Sequence, residues 1–359
     1  MPENSTNHAG GILITAAAIV ILIAGMREAQ ELLVPFLLAI FIAIIVMPAV
    51  QFLQAHRIPT SAAVFLVTLM ILGAGMLLGG LVGRSADDFA AQLPVYQQKF
   101  AHMTNGLELW LNDHGLALTD QAMTRLLNPN KAMAMAAQGI SSLGGLLTNA
   151  FLILLTVLFI LFEAAGFPAK MRLILPDPQN DLRQIERMLA DVKRYMAIKT
   201  LTSLLTGFLI YLLLWILGVD FPLLWAMIAF FLNYVPNIGS LIAAIAPILL
   251  ALVQLGTGSA LWTLGGYLLV NNLVGNVIEP RFMGRGLGLS TLVVFVSLVF
   301  WGWVLGLIGM FLSVPLTMTL KIALDSREDT RWIAVLLGPE VSEDDESITA
   351  IPKLPTDET

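Results

Sequence analysis

Cysteine is absent from the 359 residues, which excludes disulfides, thiolate metal sites and cysteine nucleophiles. Charge is scarce as well. Charged residues make up 12% of the chain and hydrophobic residues 57%, where soluble proteins carry about 25% charged residues. So little charge cannot coat a soluble surface of this size, which argues against a soluble enzyme, a disordered chain and a nucleic-acid binder. The solvent of this chain is mostly lipid. The four histidines are His8, His56, His102 and His114, so a Ser–His intramembrane protease built from the later helices would have no base. There is no G-x-x-x-x-G-K-[ST] loop and no H-E-x-x-H, so neither a P-loop motor nor a zinc protease is encoded in a recognisable form. Nothing points to an enzyme, a metal or a cofactor. The net charge of −6 is dominated by the acidic tail from 340 to 359, where Pro352 and Pro355 also lie; that tail reads as disordered.

What the sequence does contain is apolar runs. A span needs about 20 such residues. Runs at 9–26, 32–50 and 59–82 give three N-terminal membrane helices within residues 1–83, a fourth run lies at 143–162 and a fifth at 201–219. The first run has no cationic n-region and no small-residue cleavage site and is followed at once by the second, so it reads as a retained helix. Beyond 220 the pattern changes. Residues 221–278 and 286–320 contain no charge, and each stretch holds an apolar block of 30 residues, 223–252 and 291–320. As a straight helix such a block would be about 45 Å long, against a hydrocarbon core of about 30 Å. Both blocks are interrupted near the middle, the first by Asn233-Tyr234-Val235-Pro236-Asn237-Ile238-Gly239-Ser240 and the second by Trp301-Gly302-Trp303, with Gly306 and Gly309 behind. They align without gaps at an offset of 68 residues. The expectation is an internal repeat of helix plus broken hairpin, 199–253 and 259–321, within a transport core at 200–322.

The positive-inside rule orients these parts. Segment 166–199 carries seven cations, whereas the longer segment 84–142 carries Arg84, Lys99, Arg125 and Lys131. The first is expected in the cytoplasm and the second outside, with both termini cytoplasmic. If each broken block dips in and returns, Arg281, Arg285, Lys321, Arg327 and Arg331 also face the cytoplasm. The fold class expected is therefore all-α and polytopic: six full spans plus two re-entrant hairpins, about eight membrane segments, with a cytoplasmic tail at 323–359.

Outside the bilayer, Phe89, Leu93, Tyr96, Phe100, Met103, Leu107 and Trp110 alternate steps of 4 and 3, an apolar stripe that needs a partner surface. That surface is either a neighbouring helix of the same chain or a second subunit. Residues 181–199 place apolar side chains on one face and basic ones on the others, a helix lying at the cytoplasmic interface.

Polar groups within the charge-poor half are few. Irregular backbone at membrane depth is tolerated where it is buried in protein or lines a cavity, and Gly/Pro-interrupted segments in matching halves mark transporter sites. Asn233, Tyr234, Pro236, Asn237, Gly239 and Ser240 form such a break and are candidates for the path of a polyhydroxylated solute or a monovalent cation; the alternative is a cap that closes the hairpin. Asn271, Asn272 and Asn276 precede Glu279-Pro280-Arg281, with Asn272 and Asn276 one helical turn apart. Glu279 is either a proton carrier or half of an interfacial ion pair with Arg281 or Arg285. Asp220 is a second candidate for coupling, although Asp220, Glu163 and Lys199 at span ends are more often interface residues. Trp301 and Trp303 are candidates to wall the path.

These motifs together resemble the autoinducer-2 exporter family of PerM-like permeases. The hairpin at 233–240 is similar to the family's IPxIG segment. Val277-Ile278-Glu279-Pro280, Gly288-Leu289-Ser290, the glycines 302, 306 and 309, Val314-Pro315 and Tyr195-x-x-x-Lys199 fit as well. Val235 stands where the family commonly has Ile, and Ser240 where Pro is frequent. The resemblance implies a multi-pass inner-membrane homo-oligomer that exports or passes a small polar solute, autoinducer-2 among the substrates. Na⁺ or Li⁺ exchange for protons is the first alternative, and a non-transporting membrane scaffold that binds partners through the heptad stripe is the second.

Overall fold

A computed structural model describes residues 4–113, 150–174, 178–236, 238–283, 288–326 and 328–339. Among them every regular element is helical. The elements are α1 (Asn4–Glu28), α2 (Gln30–Ala55), α3 (Thr60–Asp113), α4 (Ala150–Ile174), α5 (Pro178–Leu217), α6 (Pro222–Leu232), α7 (Ile238–Leu255), α8 (Thr257–Asn271), a π-helical stretch (Asn272–Ile278), α9 (Glu279–Met283), α10 (Thr291–Asp325), a 3₁₀ turn (Glu328–Thr330) and α11 (Arg331–Leu336). The polytopic all-α architecture agrees with the sequence pattern.

Two boundaries differ from those expected. The third span and the following segment form one helix, α3, of 54 residues, which runs through Pro94 without a break. The basic segment and the fifth span form one helix too, α5, of 40 residues. At 1.5 Å per residue these are about 81 Å and 60 Å long, so each extends well beyond the apolar layer. Gly218, at φ 73°, ends α5 in the left-handed region, and Pro222 opens α6 where its missing N–H has no helical role.

Helices α2, α3 and α4 pack around Ala39, Ala43, Ala63, Val64, Val157 and Leu161. Small residues let apolar helices approach closely when lipid competes with every apolar contact. A second and larger cluster joins α5 to α8 with the far half of α3. Here lies Phe89, edge-on to Phe221 and Trp225 at 5.7 and 5.2 Å. Tyr96 and Phe100 are buried in the same cluster and Leu93 packs against it. The stripe on α3 is therefore covered by the chain's own hairpin, and the second-subunit reading of Phe89, Leu93, Tyr96 and Phe100 is replaced by intramolecular packing. The side chains of Leu107 and Trp110 lie outside the described residues.

Both broken blocks fold back on themselves. In the first, α6 and α7 are the arms. The Asp220 N–H donates to Gln254 Oε1 at 2.9 Å and Gln254 Nε2 donates to the Gly218 carbonyl at 3.1 Å, so the block ends where it began. In the second, Trp301 Nε1 donates to Thr317 Oγ1 at 3.0 Å. Sixteen residues of straight helix would separate them by about 24 Å. The turn is at Gly306, at φ 67° and ψ −152°, a conformation open only to glycine. That places the tip five residues beyond Trp301, later than the expected break at Trp301–Trp303. Length and hydropathy alone would let Ile238–Leu255 and Thr291–Asp325 cross a membrane; the contacts make the first one arm of a hairpin and the second a whole hairpin.

The two hairpins open at opposite ends of the apolar half of α5. The first opens at Gly218 and Asp220, and its tip lies by Thr200 and Ser203. The second opens where Lys321 donates to the Gly288 carbonyl, beside Val192, Tyr195 and Met196 of α5. Its tip reaches the α1–α2 junction, where Arg27 lies over the Trp303 ring at 4.9 Å. One glycine in each hairpin permits the arms to touch. A Cβ on Gly239 would sit 1.8 Å from the Leu232 carbonyl oxygen, and one on Gly309 would sit 1.9 Å from that of Trp301.

Two outcomes follow for hairpin closure. Single cysteines at Thr257, Phe282 and Ser326 in this Cys-free chain are expected to react with an impermeant maleimide from one side for position 257 and from the other side for both 282 and 326. Labelling of 326 from the side opposite to 282 would show that the second block crosses. Gly239→Ala and Gly309→Ala are each expected to lower stability by about 1–3 kcal/mol, the usual cost of overpacking, read as a drop in Tm in detergent.

Candidate functional site

Near the middle of α5, at Lys199, the tip of the first hairpin meets the stretch that joins α8 to α9. Lys199 and Glu279 are 80 residues apart and form a bidentate ion pair, with Nζ at 2.7 and 3.0 Å from the two carboxylate oxygens. Their side chains are only 6% and 15% exposed. Two charges withdrawn from water cost several kcal/mol each, so each serves as the other's counter-charge. Glu279 thus pairs with Lys199 and not with Arg281, which is exposed; Arg285 lies outside the described residues.

The tip of the first hairpin is fixed beside this pair. Asn233 Nδ2 donates to Ser203 Oγ at 3.0 Å. The Tyr234 hydroxyl donates to Thr200 Oγ1 at 2.7 Å, and the Tyr234 ring stacks on Phe311 of the second hairpin at 4.2 Å and 18°. Pro236 donates no hydrogen bond, and Val235 is buried. The break is therefore anchored by side chains rather than left loose. On the opposite wall, α8 widens into the π-helical stretch, where Asn272 Nδ2 donates to the Leu268 carbonyl and Asn276 Nδ2 donates to Asn272 Oδ1, each at 2.9 Å. Both asparagines are exposed. Stretches of π-helix recur at functional sites because they leave backbone groups displaced from the regular ladder.

Between these walls is a cavity of about 240 Å³, lined by Tyr195, Lys199, Asn233, Val235, Pro236, Ser240, Asn271, Asn272, Gly275, Asn276, Glu279 and Val294. Five of the eight residues proposed from sequence for the solute path meet in it: Asn233, Pro236, Ser240, Asn272 and Asn276. Glu279 joins them. Tyr234 and Gly239 stand behind the lining, the first as a hinge-pin between hairpins and the second as the point of arm contact. Asn237 lies outside the described residues.

Asp220 does not belong to this cluster. It lies 21 residues along, at the far end of α5, about 30 Å away. Its carboxylate accepts from the Tyr96 hydroxyl at 2.6 Å and its carbonyl accepts from Trp225 Nε1 at 3.1 Å, so it ties α3 to the first hairpin. Trp301 bonds Thr317 within the second hairpin and Trp303 sits under Arg27 near its tip; neither reaches the cavity. Sequence reasoning set Lys199 aside as an interface residue. The signal for it was its place one helical turn after Tyr195, at the entry to an otherwise charge-free span.

Comparison with known proteins bears on the whole chain. A family model described as AI-2E family transporter matches residues 13–328. The chain is 42% identical over 327 residues to the AI-2 transport protein TqsA of Escherichia coli K12, covering 91% of this chain and 95% of that one. It is 40% identical over 332 residues to a putative transport protein of Haemophilus influenzae, at 91% and 95% coverage. It is also 37% identical over 338 residues to the putative transport protein YhhT of Escherichia coli K12, at 94% and 96%.

The ion pair makes a separable prediction about stability. Lys199→Met or Glu279→Gln alone leaves one buried charge unmatched and is expected to cost about 3–5 kcal/mol. The double variant Lys199→Met/Glu279→Leu removes both charges and is expected to regain most of that loss. Thermal unfolding of the three purified variants in one detergent measures it, and equal losses in single and double variants would contradict it.

Proposed function

The chain belongs to the AI-2E family of transporters, and from that premise we propose that it passes a small, neutral, polyhydroxylated solute of the autoinducer-2 type through the cavity between the first hairpin and the π-helical stretch. The observation that carries this reading is the convergence of Asn233, Ser240, Asn271, Asn272 and Asn276 on one cavity. An amide offers a donor and an acceptor together, which suits vicinal hydroxyls better than it suits a bare ion. The volume is below the about 300–1,000 Å³ of pockets for drug-sized ligands, in keeping with a solute of a few carbons. Lys199 and Glu279 neutralise one another, so the site carries no net charge to hold an ion.

In this reading the hairpin tip is the gate and the Lys199–Glu279 pair is its frame. The Lys199 end of α5 faces the cytoplasm of the inner membrane, both termini are cytoplasmic, and the solute enters from that side. Glu279 then positions the lining. It does not carry protons.

Flux in proteoliposomes against a panel of autoinducer-2, ribose, glycerol, Na⁺ and Li⁺ is the test. Autoinducer-2 is expected to move, and Asn272→Leu and Asn276→Leu are each expected to slow it about three- to tenfold, the worth of one neutral hydrogen bond. Proton movement driven by Na⁺ and lost in Glu279→Gln would replace this reading with antiport. Silent asparagine variants beside a disabling Phe100→Asp would favour a scaffold.

A further inference from the structure

A second cavity, of about 370 Å³, lies on the other side of the contact between α5 and α9. Its lining is apolar but for Thr202, whose hydroxyl donates to the Lys199 carbonyl: Ala197, Ile198, Leu201 and Leu205 from α5, with Ile278 and Phe282 from the π-helical stretch and α9. Ile198 and Ile278 each adjoin a member of the buried ion pair in sequence, so this groove and the polar cavity share one partition. Leu201 is 58% exposed and Phe282 55%. The groove is open to lipid.

Helical spacing puts two cations on the faces that flank it. On α5, Arg194 precedes Ala197, Ile198 and Leu201 by three, four and seven residues, which puts it on the groove's face one turn above the lining. On the other wall, Ile278, Arg281 and Phe282 follow the same i, i+3, i+4 spacing. Both arginines are exposed, and among the described residues neither has an ion-pair partner within 4.0 Å. Asp191 and Glu186, three and eight residues before Arg194, are the carboxylates nearest that face of α5. An apolar slot headed by two free guanidiniums matches one kind of molecule: a phosphate with its acyl chain attached. Guanidinium recognises phosphate bidentately, and cations clustered just outside a span recruit anionic lipid.

We propose that this groove is a specific site for one anionic phospholipid, its acyl chain along Leu201, Leu205 and Phe282 and its phosphate between Arg194 and Arg281. Such a lipid clamps α5 to α9 from outside, as the Lys199–Glu279 pair clamps them from within. The site is distinct from the solute cavity and does not depend on what that cavity carries.

Native mass spectrometry of the full chain from detergent, titrated with palmitoyl-oleoyl phosphatidylglycerol or phosphatidylcholine, tests the proposal. The phosphatidylglycerol adduct is expected to be about tenfold or more the tighter, as expected for two cations at a membrane surface. Arg194→Gln, Arg281→Gln and their combination are expected to reduce the preference stepwise to parity. Leu201→Trp, which fills the slot, is expected to weaken both adducts. Lys170→Gln and Arg331→Gln, remote cations, are expected to leave the preference unchanged. Equal binding of the two lipids by the unaltered chain would overturn the proposal, as would a preference undiminished in the double arginine variant. A preference lost equally with the remote cations would reduce it to general surface charge.

Discussion

A buried charge pair is the constraint around which the rest of this chain is arranged. Lys199 lies on α5 and Glu279 on α9, two units neither of which can satisfy its own charge. In a low-dielectric layer an unmatched ammonium or carboxylate is far costlier than any packing defect, and the two units are therefore obliged to meet at this point. What meets there in consequence is the tip of one hairpin, the open end of the other and the π-helical stretch. The polar cavity is the space left when those three elements converge on a pair that must stay together.

The hairpins meet a second constraint. Backbone groups freed at a helix break have no water to bond with inside a bilayer. Each hairpin places its break against protein: the first on Thr200 and Ser203, the second on the α1–α2 junction. Because they open at opposite ends of the apolar half of α5, the two hairpins enter the helical bundle from opposite directions. The aromatic stack of Tyr234 on Phe311 couples them. The first tip cannot withdraw without sliding over the second hairpin's returning arm.

Much of this was legible in the residues. The charge-free blocks were too long for one crossing and too interrupted for one helix, and that pair of facts predicts hairpins. The asparagines and Glu279 stood out because polar residues are so rare in that half. The failures have physical reasons. The Lys199–Glu279 pairing spans 80 residues, and no periodicity connects them. The turn at Gly306 was masked by Trp301-Gly302-Trp303, since both carry glycine and only the backbone angle distinguishes a bend from a helix interior. The heptad stripe on α3 announced a partner but could not say that the partner was the chain's own Phe221 and Trp225. Asp220 resembled Glu279 by type and position, yet α5 holds the two at opposite ends.

The π-helical stretch from Asn272 to Ile278 sets a final condition. A π turn accommodates one more residue than the α ladder would. In an α-helix one residue corresponds to about 100° of rotation and 1.5 Å of rise. Regularising the stretch would turn everything after it by about that angle, carrying Glu279 off Lys199 and Arg281 to another face. The ion pair therefore sets the phase of the helix, and the extra residue is the slack that lets it do so.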